Sequence, residues 1–155
     1  MKLELKNIKH TSWASEETHC YQASLYVDGK PVAIVSNDGH GGADRDYPHP
    51  KFKGDYRAQM RDVSRYFSGL RRTAVTEWSP EGMEQCLEFW CCDQVNDWLS
   101  ARELKSKLKK EFLFQFADKV GVFAHKTRPS RAHKVTILND LPFDEALSIW
   151  KETAG

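Results

Sequence analysis

The sequence predicts an α+β fold in which an antiparallel sheet built from hairpins carries about three helices. Three observations lead there. Polar and apolar residues alternate on either side of Asp28-Gly29, a dipeptide suited to the two positive-φ positions of a tight hairpin loop. From Tyr56 to Leu70, and again from Leu87 to Trp98, apolar residues recur at helical spacing. Between Glu111 and Leu138 the period returns to two. At 155 residues the chain is expected to form one domain, 1–155, long enough to bury a core.

Lys2 to His10 reads as a first strand and Thr11 to Thr18 as a polar connection. The hairpin then pairs Val27 with Lys30. Counting outward, Leu25 meets Val32, Ala23 meets Ile34, Tyr21 meets Ser36, Cys20 meets Asn37, His19 meets Asp38 and Glu17 meets His40. Alternation sends Leu25, Val32, Ala23 and Ile34 to the core and Gln22, Ser24 and Tyr26 to the other face. A loop rich in Gly, Pro and Asp is expected to run on to Gly54.

Asp55 is placed to cap a helix whose stripe is Tyr56, Met60, Val63, Phe67 and Leu70, with Gly69 as its stop. Ser79-Pro80-Glu81 reads as the start of a central helix with Leu87, Trp90, Cys91, Val95 and Trp98 on one side. Ser100 with Glu103 repeats a capping signature, so this helix either breaks there or runs on through Leu104 and Leu108. A second hairpin, Glu111 to Phe116 and Val120 to His125 around Asp118-Lys119, aligns Phe112, Phe114, Phe116 and Phe123. A short strand, Val135 to Leu138, precedes a last helix opened by Pro142 and striped with Phe143, Leu147 and Trp150.

The net charge of +1 argues against a generic polyanion binder. Locally the balance differs, because Arg102 to Lys134 holds 10 Lys or Arg against 3 Asp or Glu. Met1 to His10 lacks the apolar region of a signal peptide, and no run reaches transmembrane length, so neither a signal sequence nor a membrane partner is expected. The 4 cysteines, Cys20, Cys86, Cys91 and Cys92, lack the spacing of a zinc site or a disulfide framework, which suits a reducing cytoplasm.

The strings SEETHCY from Ser15, YVDGK from Tyr26, SNDGHGG from Ser36, WCCDQVNDWL from Trp90 and ILNDLPFDEAL from Ile137 span most of the chain. Together they resemble a family of small, uncharacterised phage, prophage and bacterial proteins. The resemblance brings no catalytic residue and no cofactor. What it implies is a context, that of an accessory protein of a phage or mobile element in the cytoplasm of a bacterial host cell.

The hairpin register puts Glu16 to Cys20 beside Asn37 to Gly42, and this end is the principal site candidate: Glu16, Glu17, His19, Asn37, Asp38, Gly39, His40, Gly41 and Gly42. Four readings compete there. With Asp44, Asp46 and His49, its carboxylates and imidazoles are ligand types for a divalent ion that would activate water for phosphodiester hydrolysis, although no metal motif is present. Cys20 with His40 as base would make a nucleophile, although a Cys beside a Tyr in a strand is more often a small buried residue. Glycine-rich backbone would offer N–H groups to an anion. The plainest reading is a turn in which Asn37, Asp38 and Thr18 cap one another.

A second candidate is the row Arg57, Arg61 and Arg65, with Lys51, Lys53, Arg71 and Arg72 near it, which would track phosphates or grip an acidic protein unless it is only a solvated helix face. The aligned phenylalanines would stack single-stranded nucleic acid if they faced water, but such a face is expected to be core. The function expected is binding of a host protein or protein complex, with nucleic acid or a nucleotide as the other partner class, so as to interfere with a host process such as immunity. The alternative is a metal-dependent phosphodiesterase or nuclease at the hairpin end. No cofactor is expected.

Overall fold

A computed structural model describes residues 1–71, 82–130 and 134–153. It has the α+β architecture, with two antiparallel sheets and three helices. The chain divides into two compact units, Met1–Val95 and Asn96–Gly155. Both the Ser79-Pro80-Glu81 helix start and Arg72 lie outside the described residues.

In the first unit β1 (Leu3–His10), β2 (Cys20–Val27), β3 (Lys30–Asp38) and β4 (Arg45–Pro48) form one sheet in that order, every pair antiparallel. Strand β4 occupies what was expected to be loop; it is short, exposed and ends in a proline, as a sheet edge tolerates. Asp28 and Gly29 both take positive φ, 48° and 79°, as the tight turn requires. Asp28 also accepts a 2.7 Å hydrogen bond from the Lys2 N–H, fastening the turn to the start of β1.

The register beyond the turn departs from the expected one. Val27 pairs with Lys30 and Tyr26 with Pro31, but Leu25 then pairs with Ala33, leaving Val32 as an extra residue. The bulge follows Pro31, whose locked φ and missing N–H interrupt regular pairing. Every later pair is displaced by one: Ala23 faces Val35, Tyr21 faces Asn37 and Cys20 faces Asp38. Thus Val35 and Asn37 turn inward beside Ala23 and Tyr21, while Ile34, expected inside, shares the other face with Ser24. Helix α1 (Tyr56–Phe67) begins where Asp55 accepts from the Ala58 N–H and buries Val63 and Phe67. Phe67 lies 6.3 Å from Trp90, ring to ring, near the start of α2 (Leu87–Leu108). Cys91 and Val95, from the same face of α2, are fully buried.

Of the two alternatives at Ser100, the continuous helix is the one present. In the second unit β5 (Phe112–Phe116), β6 (Phe123–His125) and β7 (Val135–Ile137) form a sheet in the order β6-β5-β7, followed by α3 (Phe143–Thr153). Leu104, Leu113, Leu138, Ala146 and Trp150 make its core. Asn139 fastens helix to sheet: its Nδ2 donates to the carbonyls of Leu108 and Glu111, and its Oδ1 accepts from the Leu113 N–H at 2.8 Å.

The aligned phenylalanines are not the core face. Leu113, between Phe112 and Phe114, is the β5 residue buried in the core, and alternation therefore sends Phe112, Phe114 and Phe116 to the opposite side. They are half-buried, and Phe123 is exposed. No helix among the described residues is long and apolar enough to cross a membrane.

Candidate functional site

Despite the register shift, the two hairpin-end segments meet. The N–H groups of Glu16, Glu17 and Thr18 converge on the Gly39 carbonyl at 3.0, 3.0 and 3.3 Å. Such an approach leaves no room for a side chain at residue 39, where a Cβ would collide with the Ala14 carbonyl oxygen. The His40 Nδ1 lies 3.2 Å from Glu16, and both side chains are exposed.

Asn37 is the centre of this junction. Its Oδ1 accepts from the Thr18 hydroxyl at 2.7 Å and from the Gly39 N–H at 2.9 Å. Its Nδ2 donates to the Gly42 carbonyl at 2.8 Å and to Asp44 at 2.9 Å. All four bonds open to an amide are therefore made. The Tyr21 hydroxyl donates to the other oxygen of Asp44.

The same junction answers the anion-binding reading. The amide of Gly39 is taken by Asn37, that of Gly41 by Thr18 at 3.4 Å and that of His40 by Asp38 at 3.4 Å. An incoming anion would find these donors engaged. The capped turn expected as the plain alternative is present, through Asn37, Thr18 and Asp38.

The carboxylates and imidazoles named as metal ligands are dispersed among separate partners. Glu16 holds His40, Asp38 holds Arg45 at 3.0 Å, Asp44 holds Tyr21 and Asn37, Asp46 takes the Tyr56 hydroxyl and His49 accepts from the Lys51 N–H. Among the described residues no three His, Cys, Asp or Glu side chains gather as a metal-binding group. Cys20 is half-buried, and the imidazole meant to serve as its base is turned to Glu16.

Above the junction lies an open cleft of about 570 Å³. Glu16, Glu17, Thr18, His19 and Asn37 line it, together with Asp44 and three groups that sequence reasoning missed: His10 from the end of β1, Ser15 from the connection, and Glu88, Phe89 and Cys92 from the first turns of α2. No local pattern links α2 to the hairpin, because the fold brings Glu88, Phe89 and Cys92 from about 50 residues further along the chain, whereas Ser15 directly precedes Glu16 and was legible as a neighbour. The Ser15 hydroxyl donates to the Thr11 carbonyl at 2.9 Å and accepts from the Cys20 N–H at 2.9 Å. A proton on His10 Nε2 serves both remaining contacts, to Ser15 Oγ and to His19 Nδ1, each at 3.3 Å.

Beneath the cleft, burial is the main reason that the Tyr21 hydroxyl is held far above its ordinary range, with Cys91 and Asp44 adding to it. Burial likewise pushes the Cys91 thiol up to about 12, against the lowering effect of the Tyr21 hydrogen bond. Both shifts favour the neutral forms, the reverse of what an activated nucleophile needs.

Arg57, Arg61 and Arg65 stand exposed along α1. Arg65 pairs with Asp62 at 2.8 Å, and neither Arg57 nor Arg61 has an ion pair among the described residues. All four cysteines are free thiols. Compared with known proteins, the chain matches no family model, no curated protein and no solved structure.

Proposed function

We propose that this chain is a phage- or mobile-element-type accessory protein that acts by binding a host protein in the host cytoplasm, interfering with host defence, and not by turnover. One observation carries the reading. The hairpin-end cleft is lined by four carboxylates, Glu16, Glu17, Asp44 and Glu88, together with Tyr21, Phe89 and Cys92 and the imidazoles of His10 and His19. The amides of Gly39, His40 and Gly41 and the side chain of Asn37 are consumed internally and Asp44 is held by Asn37 and Tyr21, so the exposed carboxylates of Glu16 and Glu17 at the cleft rim are what it offers a partner. A basic protein segment suits that rim, because opposite charge speeds encounter and fixes register. The likeness of its strings to phage and prophage proteins supports the context. Arg57, Arg61 and Arg65 give the same unit a cationic face on which an acidic patch of the partner would rest.

Cross-linking with mass spectrometry in a bacterial host tests the proposal. A host protein recovered with the native chain and lost with Glu16→Lys plus Glu17→Lys is expected, with a smaller loss on reversing Arg57, Arg61 and Arg65. The opposing outcome is magnesium- or manganese-dependent hydrolysis of a phosphodiester that His40→Ala and Asp38→Ala abolish. That result would establish the nuclease alternative and overturn the binding proposal.

A further inference from the structure

We propose that the aromatic face of β5 and β6 is a stacking platform for single-stranded nucleic acid, a site independent of the acidic cleft. Phe112, Phe114 and Phe116 alternate along β5 at about 6.8 Å, and Phe123 of β6 stands opposite Phe114. The rings of Phe114, Phe116 and Phe123 lie 5.3 to 6.1 Å apart, centroid to centroid. Phe123, 39% exposed on an edge strand, is the most open of them, and Val120 in the adjoining turn is 95% exposed. A sheet buried on one side by Leu113 and the helices need not keep four phenylalanines on the other. Water contact with them is a cost that a stacking ligand removes.

Charge decides which ligand. Lys119 lies 5.0 Å over Phe116 and Arg128 5.7 Å over Phe112, while His125 sits opposite Phe112 on the same face. Lys126 and Lys134 are exposed beside the sheet. Of the acids nearby, Asp140 is already paired with Arg128, and Asp118 and Glu111 remain. Cations around one exposed ring, Phe123, and three half-buried ones match a single strand, whose bases stack on the rings while its phosphates meet the lysines. A duplex keeps its base faces inside and gains only the charge term.

Fluorescence anisotropy of the full chain with labelled oligo(dT), oligo(U) and a duplex tests this. Both single strands are expected to bind more tightly than duplex; preference for oligo(U) would identify RNA and for oligo(dT) DNA. Phe123→Ala should weaken binding roughly 5- to 150-fold, the value of about one stacked base, and Phe123→Trp should restore it. Lys119→Glu with Lys126→Glu changes only exposed side chains and should flatten the log affinity against log salt slope by about 1.4. Glu16→Gln plus Glu17→Gln, which add no cation, should leave the loss caused by Phe123→Ala unchanged, so that failure of this site and failure of the cleft are told apart. Single strands that do not bind, or that bind Phe123→Ala as well as the native chain, would overturn the proposal. So would a dimer that Phe123→Ala dissociates without any oligonucleotide binding, since the face would then belong to a second copy.

Discussion

Asn37 shows how a single buried amide organises a loop. Removing it strands the Thr18 hydroxyl, the Gly39 N–H, the Gly42 carbonyl and one oxygen of Asp44 at once. Asn37→Ala is therefore expected to cost about 2–4 kcal/mol in urea unfolding, more than a typical exposed hydrogen bond, because buried partners are left unsatisfied. Cys91 permits a test by pH. Its folded value of about 12 exceeds the ordinary 9.0, so between these values the folded state holds a proton that the unfolded chain has lost. Stability should be level up to pH 9.0 and then fall towards pH 12 by as much as about 1.4 kcal/mol per unit from this thiol. Guanidinium unfolding across that range reads the slope, and Cys91→Ala should reduce it.

At the scale of elements, the bulge at Val32 is the decisive feature of the hairpin. Period two makes a one-residue displacement exchange the faces of a strand, and that exchange brings Asn37 inward. Val32→Ala removes buried methyl groups and should cost about 1–3 kcal/mol. Deleting Val32 should close the bulge while leaving Ala33 opposite Leu25 and Asn37 opposite Tyr21, so that Val35 and Asn37 stay inward and the cost stays near that of Val32→Ala; comparing the two thermal unfolding midpoints checks this. For α1, Asp55→Ala should cost about 1 kcal/mol by the same measurement, through loss of the Ala58 N–H bond. The turn, the cap of α1 and the continuity of α2 were legible in the residues because each is a local matter. Pro31 was a readable sign of irregular pairing that simple alternation passes over. Strand β4 was hidden among loop-like residues because an exposed edge has no apolar pattern to display.

For the whole molecule, the two units have separate cores. Leu104→Ala, in the second, should cost about 2–5 kcal/mol. Hydrogen exchange should show its effect first at the amides of β5 and β7, ahead of those of β2 and β3. The phenylalanine row is where sequence reasoning and structure part most clearly. Four large apolar residues on one face of a hairpin predict a core by burial preference, yet a thin sheet has two faces and the helices cover only one. Leu113, a single residue between two phenylalanines, took the covered side.

Sequence alone determined the α+β class, the Asp28-Gly29 turn, the cap of α1 and the meeting of Glu16 to Cys20 with Asn37 to Gly42, since local dihedral preference, periodicity and chain connectivity suffice for these. Tertiary structure decided that Asn37 faces inward, that His10 and Glu88 join the cleft lining, and that the phenylalanine face lies opposite the core with Phe123 exposed. Each of those outcomes depends on which surface a distant element covers, and a pattern of period two or 3.6 names a face without naming its partner.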